Sequence, residues 1–139
     1  MAKLIKLCEN NLISDIKVAD IKINAIKNII NSAKECKSID YIILFGSSLE
    51  ERCNEESDID IAIISNITRS RLYRVKEYRD FLANVYKYNL RQEYDIIQFN
   101  SLEDIKKHKY GVYLDIAEKG KIIYSRKDNK NGNIWNIFS

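Results

Sequence analysis

Three aspartates and one short turn carry the chemistry open to this sequence. Asp58 and Asp60 are separated by a single isoleucine. On an extended strand, positions i and i+2 face the same way, about 6.5–7 Å apart along the axis. Two carboxylates at that spacing can share divalent cations, and without a cation they are costly to bury together. Mg2+ favours one or two carboxylates completed by phosphate oxygens and water. The residues that follow, Ile61 to Ile64, are apolar on both faces, so the acids stand at the open end of a buried strand. Asp95, within Tyr94-Asp95-Ile96-Ile97-Gln98-Phe99, is a third candidate. Aspartate is disfavoured inside a strand, and a neighbouring metal pair gives it a reason to be there. In that place it would take, or orient, the proton of an attacking hydroxyl in two-metal chemistry.

Upstream, Phe45-Gly46-Ser47-Ser48 follows an apolar run of strand length. Gly46 lets the backbone approach a phosphate closely, and Ser47 and Ser48 offer hydroxyls beside free N–H groups. Ser57, directly before Asp58, reads either as a turn hydroxyl or as a contact to a nucleotide.

The elements that must hold these residues follow from periodicity. Tyr41 to Phe45 and Asp58 to Ile64 read as strands, as do Tyr94 to Phe99 and Lys121 to Ser125. Ile23, Ile26, Ile30 and Ala33 predict a helix over 21–36, with Asp20 as its N-cap. Leu72, Val75, Leu82, Val85, Tyr86 and Leu90 predict one long helix over 70–90. Ser101 caps a short helix, with Asp104 at the capping-box position, and Tyr110 to Glu118 forms another that Gly120 closes. The clusters Leu4-Ile5-Leu7 and Leu12-Ile13-Ile16 are read as one helix or as a helix and an extended piece. The fold class is α/β (α+β), a mixed sheet with helices over one face.

The stretch Leu44-Phe45-Gly46-Ser47, ten residues, then Asp58-Ile59-Asp60-Ile61 resembles the signature of the polymerase-β-like nucleotidyltransferase superfamily. Asp95 resembles the family's third carboxylate. The small size is similar to that of the minimal nucleotidyltransferases. The resemblance covers roughly residues 21–125, leaving an N-terminal extension over 1–20 and a tail over 126–139. It implies a mixed sheet backed by helices, two Mg2+ ions on Asp58, Asp60 and Asp95, and a nucleoside triphosphate such as ATP held by Gly46, Ser47, Ser48 and Ser57. It also implies transfer of a nucleoside monophosphate to a hydroxyl with release of pyrophosphate. Many minimal members are antitoxins paired with a HEPN-type toxin, and some add AMP to a toxin tyrosine, which implies a homo- or hetero-oligomer. One departure stands out: where many members carry Arg-Gly, this chain has Glu50 and Glu51.

Composition sets the limits. One hundred and thirty-nine residues make one domain. A net charge of +3, from 23 basic and 20 acidic residues, gives a mixed surface without the footprint of a dedicated nucleic-acid binder. The basic run Arg69, Arg71, Arg74, Lys76 and Arg79 reads as a solvated face, and the tyrosines Tyr73, Tyr78, Tyr86 and Tyr88 as packing residues. Cys8, Cys36 and Cys53 form no CxxC pair, and His108 is the one histidine, which excludes chemistry needing two. No apolar run is long enough to span a membrane, and the N-terminus makes a poor signal peptide, so a cytoplasmic protein is expected.

Overall fold

A computed structural model describes residues 1–7, 16–107 and 110–126. Cys8, His108, the pair Leu12-Ile13 and the apolar tail residues Ile134, Trp135, Ile137 and Phe138 lie outside the described residues. The described chain runs β1 (Leu4–Lys6), β2 (Lys17–Ala19), a 3-10 turn (Asp20–Lys22), α1 (Ile23–Ala33), β3 (Tyr41–Phe45) and a second 3-10 turn (Gly46–Leu49). It continues through β4 (Ile59–Ile64), α2 (Arg69–Leu72), α3 (Lys76–Tyr88), β5 (Tyr94–Phe99), α4 (Leu102–Lys106), α5 (Gly111–Lys119) and β6 (Lys121–Ser125). No helix among the described residues is long and apolar enough to cross a membrane.

Four strands form a mixed sheet in the order β5-β4-β3-β6. β3 pairs antiparallel with both β4 and β6, while β4 and β5 run parallel. The two central strands are apolar at nearly every position, as strands covered on both faces must be. That is how they are covered. Ile42, Leu44, Ile59, Ile61 and Ile63 pack with Ile26, Ile29, Ile30, Phe81 and Val85 of α1 and α3. Ile43, Phe45, Ala62, Ile64 and Phe99 pack with Leu102, Ile105 and Ile116 of α4 and α5. The expectation of helices over one face is therefore corrected. The unbroken apolar character of β3 and β4 demanded two coverings.

Further expectations change as well. Leu4 and Ile5, of the first N-terminal cluster, lie in a strand rather than a helix, and of the second cluster only Ile16 is among the described residues. β1 and β2 make a small antiparallel pair, and Leu7, Ile16 and Val18 enter the main core. Asp20 does not cap α1: its carboxylate accepts from Ile21 N–H at 2.8 Å and Lys3 N–H at 3.2 Å, closing the 3-10 turn and tying down β1. The helix expected over 70–90 is broken at Val75, which is extended (φ −80°, ψ 120°). The break rotates α3, so Tyr78, Phe81 and Val85 are buried while Tyr73, Tyr86, Tyr88 and Leu90 are exposed. Of the four tyrosines read as packing residues, only Tyr78 is in the core.

The end of α5 shows how tightly the second layer sits. Gly120 N–H donates to the Ile116 carbonyl at 2.8 Å. A Cβ on Gly120 would meet that carbonyl oxygen at 2.5 Å and Ile43 Cγ2 at 2.7 Å. Glycine is needed there for space, because backbone and a core side chain close in together. Gly120→Ala is expected to destabilise the domain by about 1–3 kcal/mol, the usual cost of overpacking, read as a lower denaturation midpoint with an unchanged slope.

Candidate active site

The turn and the acids converge through the sheet register. Phe45, the last residue of β3, lies opposite Asp60 on β4, and Asp60 lies opposite Asp95 on β5. Neighbouring strands are about 4.8 Å apart, so Asp60 and Asp95 stand side by side. Asp58 precedes Asp60 by two residues on the same face. All three belong to the α4/α5 side of the sheet, where Phe45, Ala62, Ile64 and Phe99 form the floor below them. Asp58 and Asp95 are exposed and Asp60 is half-buried.

Gly46 follows directly, with φ +75°. A Cβ there would fall 2.1 Å from Asp60 Oδ2. The bare glycine thus lets the 3-10 turn lie against the carboxylate, and its positive φ suits no other residue. Ser47 is half-exposed, and its carbonyl accepts Glu50 N–H at 2.9 Å. Ser48 is fully enclosed and its Oγ has no hydrogen-bond partner, so its hydroxyl does not face the open end of the sheet. Ser57 Oγ accepts Asn54 N–H at 3.0 Å, and Ser57 N–H donates to the Asn54 carbonyl at 3.1 Å. Its hydroxyl serves the turn that delivers Asp58.

The electrostatics are those of crowded like charges. Burial, and then the carboxylates of Asp95, Asp58 and Asp115, push the Asp60 carboxyl up to about 6, with Arg52 pulling the other way. Asp115 on α5 and Arg52 in the loop are neighbours that the sequence reading did not single out. Asp115 sits in an amphipathic helix that gives no sign of facing the sheet end. Arg52 lies beside two glutamates that suggested negative charge only. In the fold, Arg52 Nε donates to the Glu50 carboxylate, so the glutamate standing at the arginine position carries its own counter-charge.

A third unforeseen residue is Lys22, 2% exposed. Burial draws its ammonium below the ordinary value, while Cys53, Asp58 and Glu55 hold it up. Cys36 and Cys53 are buried free thiols, and burial pushes the Cys36 thiol up.

Among the described residues, no group of three or more His, Cys, Asp or Glu side chains is gathered closely enough to hold a metal ion. The donors form an open edge instead. Asp60 and Asp95 lie side by side with Asp58 two residues upstream, burial and then the neighbouring carboxylates push the Asp60 carboxyl up, and no lysine or arginine bonds to the three directly in any described contact. Such an edge fits a hard divalent cation that draws its remaining ligands from phosphate oxygens and water.

The sequence profile described as "Polymerase beta, Nucleotidyltransferase" matches residues 27–129. The chain belongs to that family. The match takes in β3, the Gly46 turn, β4 and β5, and so every element that carries the three aspartates. No curated protein matches the sequence. Among solved structures, the chain is similar to a mutant form of the toxin-antitoxin MntA-HpeT, at 14% identity and a TM-score of 0.48, covering 83% of this chain and 78% of that one.

The raised Asp60 carboxyl gives a pH signature. Unfolded, it ionises near 3.8; folded, near 6. The stability tied to its proton is fully present below 3.8 and is lost as the pH rises through 6. The difference of roughly two units amounts to at most about 3 kcal/mol. In EDTA at pH 7.5, Asp60→Asn is therefore expected to melt above the parent, and the two curves should meet as the pH falls towards about 4. A gap that stays constant with pH would contradict the crowding.

Proposed function

We propose that this nucleotidyltransferase moves a nucleoside monophosphate, AMP from ATP, to a hydroxyl on a partner protein. The observation that carries the reading is the register Phe45–Asp60–Asp95, which sets the Gly46-Ser47 turn and three carboxylates on one sheet end. Asp58 and Asp60 would hold Mg2+, with Asp95 completing the set; when bound, the metal supplies charge neutralisation for the triphosphate and its leaving group. Gly46 and Ser47 bring backbone N–H groups to the phosphates, and Gly46 does so without displacing Asp60. Asp95, the one acid on β5, is exposed, and would orient the attacking hydroxyl and accept its proton. The new bond joins that oxygen to the α-phosphorus, the bond to the bridging oxygen breaks, and pyrophosphate leaves.

A protein acceptor suits the described fold, because the four-stranded sheet end is open and no further layer of that fold encloses an acceptor. The resemblance to minimal nucleotidyltransferases makes a HEPN-type toxin the favoured partner, with this chain as its antitoxin in a cytoplasmic pair. With Mg2+, ATP and such a partner, intact-mass measurement should show the partner gaining the mass of AMP. Asp58→Asn and Asp60→Asn should abolish that gain while the fold persists. No gain with any of the four nucleoside triphosphates would overturn the reading.

A second reading, a binding module that neutralises by contact alone, is favoured by Glu50 and Glu51. Negative charge near a triphosphate weakens binding, but solvated charges interact by only about 1 kcal/mol at contact. The Arg52 partner lessens even that. We expect the parent to bind: at ~100 times its dissociation constant a ligand stabilises by ~2.7 kcal/mol, a shift of several degrees. Melting with millimolar ATP and Mg2+ tests this. A parent without a shift beside a Glu50→Arg variant that shifts would establish the binding module.

A further inference from the structure

The two acidic strand ends come from distant parts of the chain. Asp58 directly precedes β4 and Asp60 is its second residue, while Asp95 is the second residue of β5, after a crossover through α2 and α3. Parallel strands joined by so long a crossover receive no register from a turn. Their hydrophobic alternation sets the face but is blind to a slip of two residues. Such a slip keeps every side chain on its side of the sheet, yet carries Asp95 about 6.6 Å along the strand from Asp60. Something else has to measure one strand end against the other.

A chain of polar contacts, anchored on the buried Lys22 and the half-buried Gln92, stands at that place. Lys22 Nζ donates to the Glu55 carbonyl at 3.1 Å and to Gln92 Oε1 at 2.6 Å. Gln92 Nε2 donates to the Ser57 carbonyl at 3.0 Å and to the Glu93 carbonyl at 2.7 Å. The Glu93 carbonyl also accepts Ile59 N–H at 3.0 Å, the first rung of the β4–β5 ladder. One side chain thus grips the residue before Asp58 and the residue two before Asp95. Lys22 braces it from the start of α1, which is itself fixed in the main core. The ammonium forms part of the wall of a cavity of about 780 Å3 also lined by Glu55, Asn89, Arg91 and Glu93. Burying an ammonium is costly, and the same contacts would be cheaper to leave out if only stability were served.

We propose that Lys22 and Gln92 are positioning residues, a clamp that sets the β4 and β5 ends in register and so brings Asp58 and Asp60 alongside Asp95. The proposal rests on the nucleotidyltransferase reading of those acids. Neither residue touches the reacting groups. They act through the loops at 55–57 and 92–93.

Two variants test it in the full chain, with Mn2+ as the probe. Lys22→Met removes the ammonium and keeps the stem. Gln92→Glu keeps an acceptor for Lys22 but removes both donations to the carbonyls of 57 and 93. On charge alone both changes favour Mn2+, one by deleting a cation and the other by adding an anion. Loss of geometry predicts the opposite, a Mn2+ affinity lower by about tenfold or more, as for other supports behind metal ligands. Amide hydrogen exchange should rise over residues 54–60 and 92–96 and stay at parent level over β3 and β6.

Unchanged or tighter Mn2+ binding in a folded Gln92→Glu chain overturns the proposal, whatever the exchange shows. So does parent-like exchange at both strand ends. A parent that binds no Mn2+ tells against the nucleotidyltransferase reading instead, and exchange alone then decides whether the clamp holds the strand ends.

Discussion

Asp60 and Gly46 lie in close contact, and much of the fold follows from it. A carboxylate oxygen of Asp60 lies 2.1 Å from where a Cβ would stand on residue 46. The turn after β3 therefore has to be glycine, has to take a positive φ, and has to leave the strand at the level of Asp60. Beside Asp60, in register, is Asp95. No isolated hairpin could hold two carboxylates there against burial and each other's charge. The arrangement needs a rigid floor, which the fold supplies as two strands with almost no polar side chain, sealed on both faces by helices. Stability is drawn from the apolar length of β3 and β4 and partly given back at their acidic end, the usual distribution where a site must hold charge out of water.

That division explains which parts of the structure were legible in the sequence. Strand positions are local: an apolar run of five or six residues bounded by glycine or aspartate states its own limits, and β3, β5 and β6 begin and end where periodicity places them. The acids were legible for the same reason, because spacing by two needs only the pleat of a single strand. The covering of the second face was present as well, in the absence of alternation along β3 and β4, although the sequence reading placed helices over one face only. Pattern failed where a backbone break intervened. At Val75 the helix restarts, and the stripe that would have buried Tyr86 and Leu90 turns them to solvent.

The site was less legible than the fold because part of it is electrostatic and non-local. Glu50 looked adverse in sequence, occupying a place where arginine is common. Only the folded loop shows Arg52 returning to bond it, two residues on. Ser48 had the composition of a phosphate contact, yet the 3-10 turn points it inward. Its neighbour Ser47 remains on the open side. Lys22 sits between two isoleucines at a helix start, a position whose ordinary meaning is a solvated lysine. Its partner Gln92 is 70 residues away, and no periodicity links them.

The same constraint bears on how the proposed transfer to a partner protein would proceed. The chain's charge is arranged in opposition. The sheet end is acidic, while α2 and α3 expose Arg69, Arg71, Arg74, Lys76 and Arg79 along an outer face. In the proposed reaction the carboxylates alone would repel a triphosphate, so a cation would have to bind before or with the nucleotide. The acceptor hydroxyl would then enter last, at the open side by Asp95. A partner carrying that acceptor would approach along that side of the sheet, past α5, where Asp115 adds to the negative field. An acceptor segment with basic flanks would meet a complementary surface there, and an acidic one would be turned away before its hydroxyl reached Asp95.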